Sequence, residues 1–186
     1  MNDLKLFMIL IGCTPRGRHV EQHDFFFGIA TELKELLRDM KAFWPEAEGV
    51  MHIDAWREVT HVDSHKISVA GKNISKGSQE KLFFINLGGY LKDRFEEQHY
   101  TLLSVKPNKT EAIKSAKATD FFKHNYYLSA ASHIDDKYGI DVDELHDIED
   151  ILPVHQKEKY SLMIEREQEG TQDELHLGYL KLSKLQ

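Results

Sequence analysis

Two stretches of the chain are almost wholly apolar over six positions, Leu6–Ile11 and Leu82–Leu87, and each runs into a glycine, Gly12 and Gly88. Apolar runs of this length predict buried strands. Asp24–Ala30 and Tyr100–Lys106 follow them, the second rich in β-formers and stopped at Pro107, so both read as strands. The pattern then changes period. Leu33, Leu36, Leu37, Met40, Phe43 and Trp44 recur at spacings of three and four, predicting a helix with Thr31 at its N-cap. In the later stretch Asn108, with Glu111 three residues on, signals a capped helix through Ala112, Ile113 and Ala116. His52–Asp54 and His65–Ala70 read as further strands. Val142, Leu145, Ile148, Ile151 and Leu152 suggest a short acidic helix stopped by Pro153, and Tyr160–Glu167 with Glu174–Leu182 suggest a terminal hairpin around Gly170.

The recurrence is an internal repeat. Leu6–His23 and Leu82–His99 share eight of 18 residues at a constant offset of 76: Leu6/Leu82, Phe7/Phe83, Ile9/Ile85, Gly12/Gly88, Arg18/Arg94, Glu21/Glu97, Gln22/Gln98 and His23/His99. About one identity is expected by chance at average residue usage. His52-Ile53-Asp54 recurs as His133-Ile134-Asp135 at an offset of 81. The fold expected is α+β: two divergent copies of a β-β-α-β module related by pseudo-two-fold symmetry, with a C-terminal β-hairpin. The first module takes residues 1–72, a linker 73–80, and the second module with the acidic helix and hairpin 81–186.

Composition narrows the partners. The chain has 186 residues, 24 basic against 31 acidic, for a formal net charge of −7. Binding to phosphate backbones needs clustered Lys and Arg, and here they are few and dispersed, so neither nucleic acid nor an anionic membrane is expected. No apolar run reaches the roughly 20 residues of a spanning helix. Leu6–Ile11 is not expected to be a signal sequence: it lacks a basic n-region and a small-residue cleavage site, and such a segment would not reappear in mid-chain. Cys13 is the single cysteine, which points to a reducing, cytoplasmic compartment.

Three groups of residues carry candidate chemistry. Gly12–Arg18 follows a strand. With Arg16 and Arg18 it could cradle an anion, or it is a type I turn from Thr14, with Pro15 at the second position and Gly17 at the fourth. Glu21 and His23, echoed by Glu97 and His99, are raw material for acid–base catalysis. Retention in both copies leans instead towards a structural duty. His52 and Asp54 lie two apart, hence on one face of a strand, and could be two arms of a metal site or a simple hydrogen-bonded pair. Neither a metal nor a cofactor is expected. Trp56, beside Arg57, suits a core position or a pocket wall.

LFMILIGCTPRGRHVEQHDFFFGIA, AFWPEA and HIDAWREV resemble the bacterial family called domain of unknown function 1543, over residues 4–70 and more loosely 80–165. The resemblance implies one or two copies of a short repeat and transfers no catalytic residue. Gly17, Asp24 and Trp56 of the first copy become Asp93, Tyr100 and roughly Lys137 in the second. Two functions follow from the residues. One is a small cytosolic binding or regulatory protein, self-associating as a homodimer and binding a small anionic ligand through Arg16, Arg18, His52 and Trp56. The other is an enzyme using Glu21, His23, His52 and Asp54 for acid–base or metal-assisted chemistry on a small anionic substrate. Convergence of those four side chains in a concave pocket separates the two.

Overall fold

A computed structural model of the chain describes residues 4–74, 78–90, 95–119 and 142–185. The chain forms two compact units: residues 1–78 with 151–186, and residues 79–150. The fold class is α+β, as the mixed periodicities imply.

In the first unit, β1 (Lys5–Cys13), β2 (Gln22–Ala30), β3 (His52–Glu58) and β10 (His176–Lys181) form an antiparallel sheet in the order β10-β3-β1-β2. Alternation along β1 sends Phe7, Ile9, Ile11 and Cys13 to one face. They meet Phe26, Ile53, Leu36, Met40 and Leu182 in the core. The helical segment above this face begins as a 3-10 turn, Leu33–Leu36, and continues as α1, Leu37–Phe43, ending at Trp44 before Pro45. Thr31 does not cap it by accepting a bond. Instead Glu35 reaches back, accepting from the Thr31 N–H at 2.9 Å and from its hydroxyl at 3.1 Å.

A second sheet has the order β4-β5-β9, from His61–Val62, His65–Gly71 and Tyr160–Arg166. The terminal strands expected to pair with each other thus part company: β9 lies on β5, and β10 lies on β3. Each meets an open sheet edge whose backbone groups need partners. Residues 151–186 therefore pack with the first unit rather than the second. Asp173, in the β9–β10 connection, fixes this course by accepting from Thr60 N at 2.9 Å, Thr60 Oγ1 at 2.6 Å and His61 N at 3.2 Å. Gln156, in the short helix Val154–Lys157, accepts from Ile29 N–H at 2.7 Å and donates to Asp39 Oδ2 at 3.1 Å.

The second unit contains β6 (Lys81–Tyr90), β7 (Glu97–Lys106), the helix α2 (Lys109–Lys117) and β8 (Val142–Asp147), with sheet order β7-β6-β8. Phe83, Ile85 and Leu87 bury against Ala112 and Ala116 of α2. Asn108 caps that helix, its Oδ1 accepting from Glu111 N–H at 3.0 Å, as the spacing predicted. Val142–Asp147 is a strand and not the first turns of an acidic helix. The helix there, α3, spans only Ile148–Ile151. Pairing with β6 gives five of these six residues a ladder that a short polar helix lacks.

Each unit builds its three strands in the same order and direction. Lys5 faces Ala30 and Lys81 faces Lys106; the ladder is interrupted between Leu10 and Ile11, and again between Asn86 and Leu87. These landmarks keep the 76-residue offset. The third strand does not keep the expected 81: Phe7 faces Glu58 while Phe83 faces Asp147. Leu145, rather than Lys137, therefore holds the register place of Trp56, and Val142 that of Ile53. His133-Ile134-Asp135, Asp93 and Arg94 lie outside the described residues. Among the described residues, no helix is long and apolar enough to cross a membrane.

Candidate functional site

At the end of the first sheet the register lines up three strands: His23 on β2 faces Gly12 on β1, which faces His52 on β3. Side chains directly opposite lie close on the same face. Because Gly12 has none, the two imidazoles can approach each other across it. A Cβ at Gly12 would lie 2.4 Å from Asp54 Oδ2 and 2.6 Å from His52 Nε2, so only glycine fits.

Asp54 arrives by a bulge. Leu10 pairs with Ala55 and Ile11 with Ile53, leaving Asp54 as the additional residue on β3. Glu21 enters from the residue before β2. The result is an alternating ring in which each carboxylate reaches both imidazoles. His52 Nε2 is 3.0 Å from Glu21 Oε1 and 3.2 Å from Asp54 Oδ1. His23 Nε2 is 3.3 Å from Asp54 Oδ2 and 3.8 Å from Glu21 Oε2. The two histidines differ in setting. The His23 side chain is 43% exposed and that of His52 only 9%, with Tyr179 against it at a ring separation of 4.2 Å. His52 Nε2 and Asp54 Oδ2 are buried and take no hydrogen bond among the described residues, although both stand within ion-pair distance of partners. Below the ring, Cys13 faces the core. Burial first, and the charge of Glu21 second, push its thiol up.

The four residues expected to act together are brought together. Arg16 and Arg18 are not part of the ring. They sit exposed on the turn after Cys13, which runs one residue later than the type I turn expected. Arg18 N–H donates to Pro15 O at 3.1 Å, and Gly17 holds φ +81°, the position a type II turn reserves for glycine. The β1–β2 loop that carries them closes on the pair Cys13–Gln22, one step from Gly12–His23. Trp56 also departs from expectation. In a regular strand it would share the face of His52 and Asp54, but the bulge turns it to the face of Ile9, where it packs on the core. Reading the sequence missed two participants: Gly12 as the floor of the ring and Tyr179 from the far end of the chain. The Gly12/Gly88 identity was the one signal for the first. Among the described residues no group of three or more His, Cys, Asp or Glu is arranged to hold a metal ion.

In the second unit His99 faces Gly88 as His23 faces Gly12. Its neighbours differ. Asn86 Nδ2 stands 3.2 Å from His99 Nδ1 and donates to Glu144 Oε2 at 2.7 Å, while Glu97 Oε2 is 3.9 Å from His99 Nε2.

Residues 18–69 match the family model Domain of Unknown Function (DUF1543). That span includes all four members of the ring and Trp56, and leaves out Gly12. No curated protein matches the chain. Among solved structures, the crystal structure of a protein Il1583 from Idiomarina loihiensis is similar over 97% of this chain and 99% of that one, with a TM-score of 0.66 and 20% identity. At that identity the likeness concerns the fold.

Proposed function

We propose that the first unit carries an acid–base site acting on a small anionic substrate, with the ring over Gly12 exchanging the proton and the arginine-bearing loop holding the charge. The convergence of Glu21, His23, His52 and Asp54 supports this reading. His23, the exposed imidazole, is the group a substrate can reach. Glu21 and Asp54 flank its Nε2 at 3.8 and 3.3 Å and orient the ring. His52, buried against Tyr179, positions both carboxylates from behind. Arg16 and Arg18 then supply charge-assisted hydrogen bonds to the anion. Proton abstraction next to a carboxylate or phosphate is the reaction class this arrangement suits.

Ligand binding without turnover is a second reading. One observation favours it: a hollow of about 420 Å³ in this unit opens beside Trp56, on the other face of β3 from the ring.

The shared strand order, registers and bulge positions support an origin of both units from one duplicated module. The single cysteine supports a cytoplasmic setting, and a homodimer remains our expectation.

The test is a thermal-shift screen of phosphorylated and carboxylated metabolites, followed by proton–deuterium exchange of each hit watched by NMR. Binding should weaken at least tenfold in Arg16→Ala/Arg18→Ala. His23→Gln should keep binding and lose exchange. Hits that survive the arginine variant unchanged would remove the anion site, and exchange that persists in His23→Gln and Asp54→Asn would remove the acid–base role.

A further inference from the structure

The bulge at Asp54 gives β3 two working faces: His52 and Asp54 turn towards Gly12, and Trp56 turns to the opposite side. There Trp56 forms part of a hollow of about 420 Å³ with Leu33, Leu180, Leu185, Lys34 and Lys184, and Glu32 at its margin. That volume falls within the range of small-molecule sites, which combine apolar walls with a few placed polar groups. Four of the seven lining residues are apolar. The indole of Trp56 is held in place, stacked on His176 at 3.8 Å with the rings 10° apart and tilted against Phe7 at 6.0 Å. A fixed aromatic wall binds a flat ligand without first losing side-chain freedom.

The charges select the sign of the ligand. Lys34 is committed to Glu32 at 2.6 Å, so these two cancel. Lys184, in the 3-10 turn Leu182–Lys184, forms no ion pair among the described residues and remains as the net cation of the rim. An apolar wall with one uncommitted cation is complementary to a molecule with an aromatic body and a single carboxylate.

We propose that this hollow is a second binding site, separate from the ring over Gly12, for a small aromatic carboxylate. The inference does not depend on the acid–base reading, because no residue is shared between the two sites.

The probe is 2-naphthoate, with 2-naphthalenemethanol as its uncharged counterpart. Trp44→Phe leaves Trp56 as the single indole, and quenching of its emission reads occupancy. Saturation-transfer NMR on the unaltered chain repeats the measurement without that substitution. Naphthoate should bind saturably, with Kd raised at least fivefold by Lys184→Gln, while the alcohol binds more weakly and is indifferent to that change. Arg16→Ala/Arg18→Ala, which should weaken an anion at the first site, should leave naphthoate affinity unchanged. No saturable signal by either method at millimolar naphthoate would overturn the proposal. So would equal binding of acid and alcohol, an unmoved Kd in Lys184→Gln, or a Kd that shifts with Arg16→Ala/Arg18→Ala.

Discussion

Replacing Gly12 with alanine tests whether the ring is packed as tightly as its geometry states. The added Cβ would stand 2.4 Å from Asp54 Oδ2 and 2.6 Å from His52 Nε2. Asp54, 27% exposed, can turn away. His52 cannot do so freely, being buried and set against Tyr179. Overpacking of this kind costs about 1–3 kcal/mol, against about 0.5–1 kcal/mol that alanine recovers over glycine in a strand. A net loss on the order of 1–2 kcal/mol then lowers Tm by roughly 2–8 °C in a chain of this length. Urea titration followed by tryptophan emission is the assay, because both tryptophans, Trp44 and Trp56, lie in the first unit. His52→Ala removes the obstacle, so Gly12→Ala should cost less in that background, with a coupling of at least about 0.5 kcal/mol. Gly71→Ala is the control, since a Cβ there meets nothing within 4 Å. A Gly12→Ala protein as stable as the parent, or strict additivity with His52→Ala, would refute the packing argument.

Gln156→Ala leaves the buried Ile29 N–H without its acceptor and should cost about 1–3 kcal/mol; an unchanged urea midpoint would show that the bond adds nothing. Because burial and Glu21 raise the Cys13 pKa, the neutral thiol contributes stability in full below the unfolded thiol's pKa, and this is lost as pH rises through the folded value. Native protein should therefore react with iodoacetamide far more slowly at pH 8 than protein in urea, and its Tm should fall more between pH 8 and 10 than that of Cys13→Ala; equal rates would contradict the burial. Dialysed protein should carry no tight transition metal by elemental analysis, and near-stoichiometric iron, zinc or manganese lost in His52→Ala would reverse that expectation.

Much of this protein is written locally. Apolar runs ending at Gly12 and Gly88 specify β1 and β6, Asn108 with Glu111 specifies the start of α2, and the repeated Glu-x-His specifies two members of the ring. These follow from neighbours in sequence: burial of alternate side chains, and a cap whose donor lies three residues away. What the chain alone left open depends on partners distant in sequence. The spacing of Val142, Leu145 and Ile148 suits a helix, yet the open edge of β6 makes residues 142–147 a strand. Tyr160–Arg166 and His176–Lys181 are legible as strands, but which edge each joins is settled by β5 and β3. The bulge at Asp54 is a mismatch between the two strands β1 and β3, invisible in either strand by itself. It is this mismatch that turns Trp56 away from the face His52 and Asp54 share.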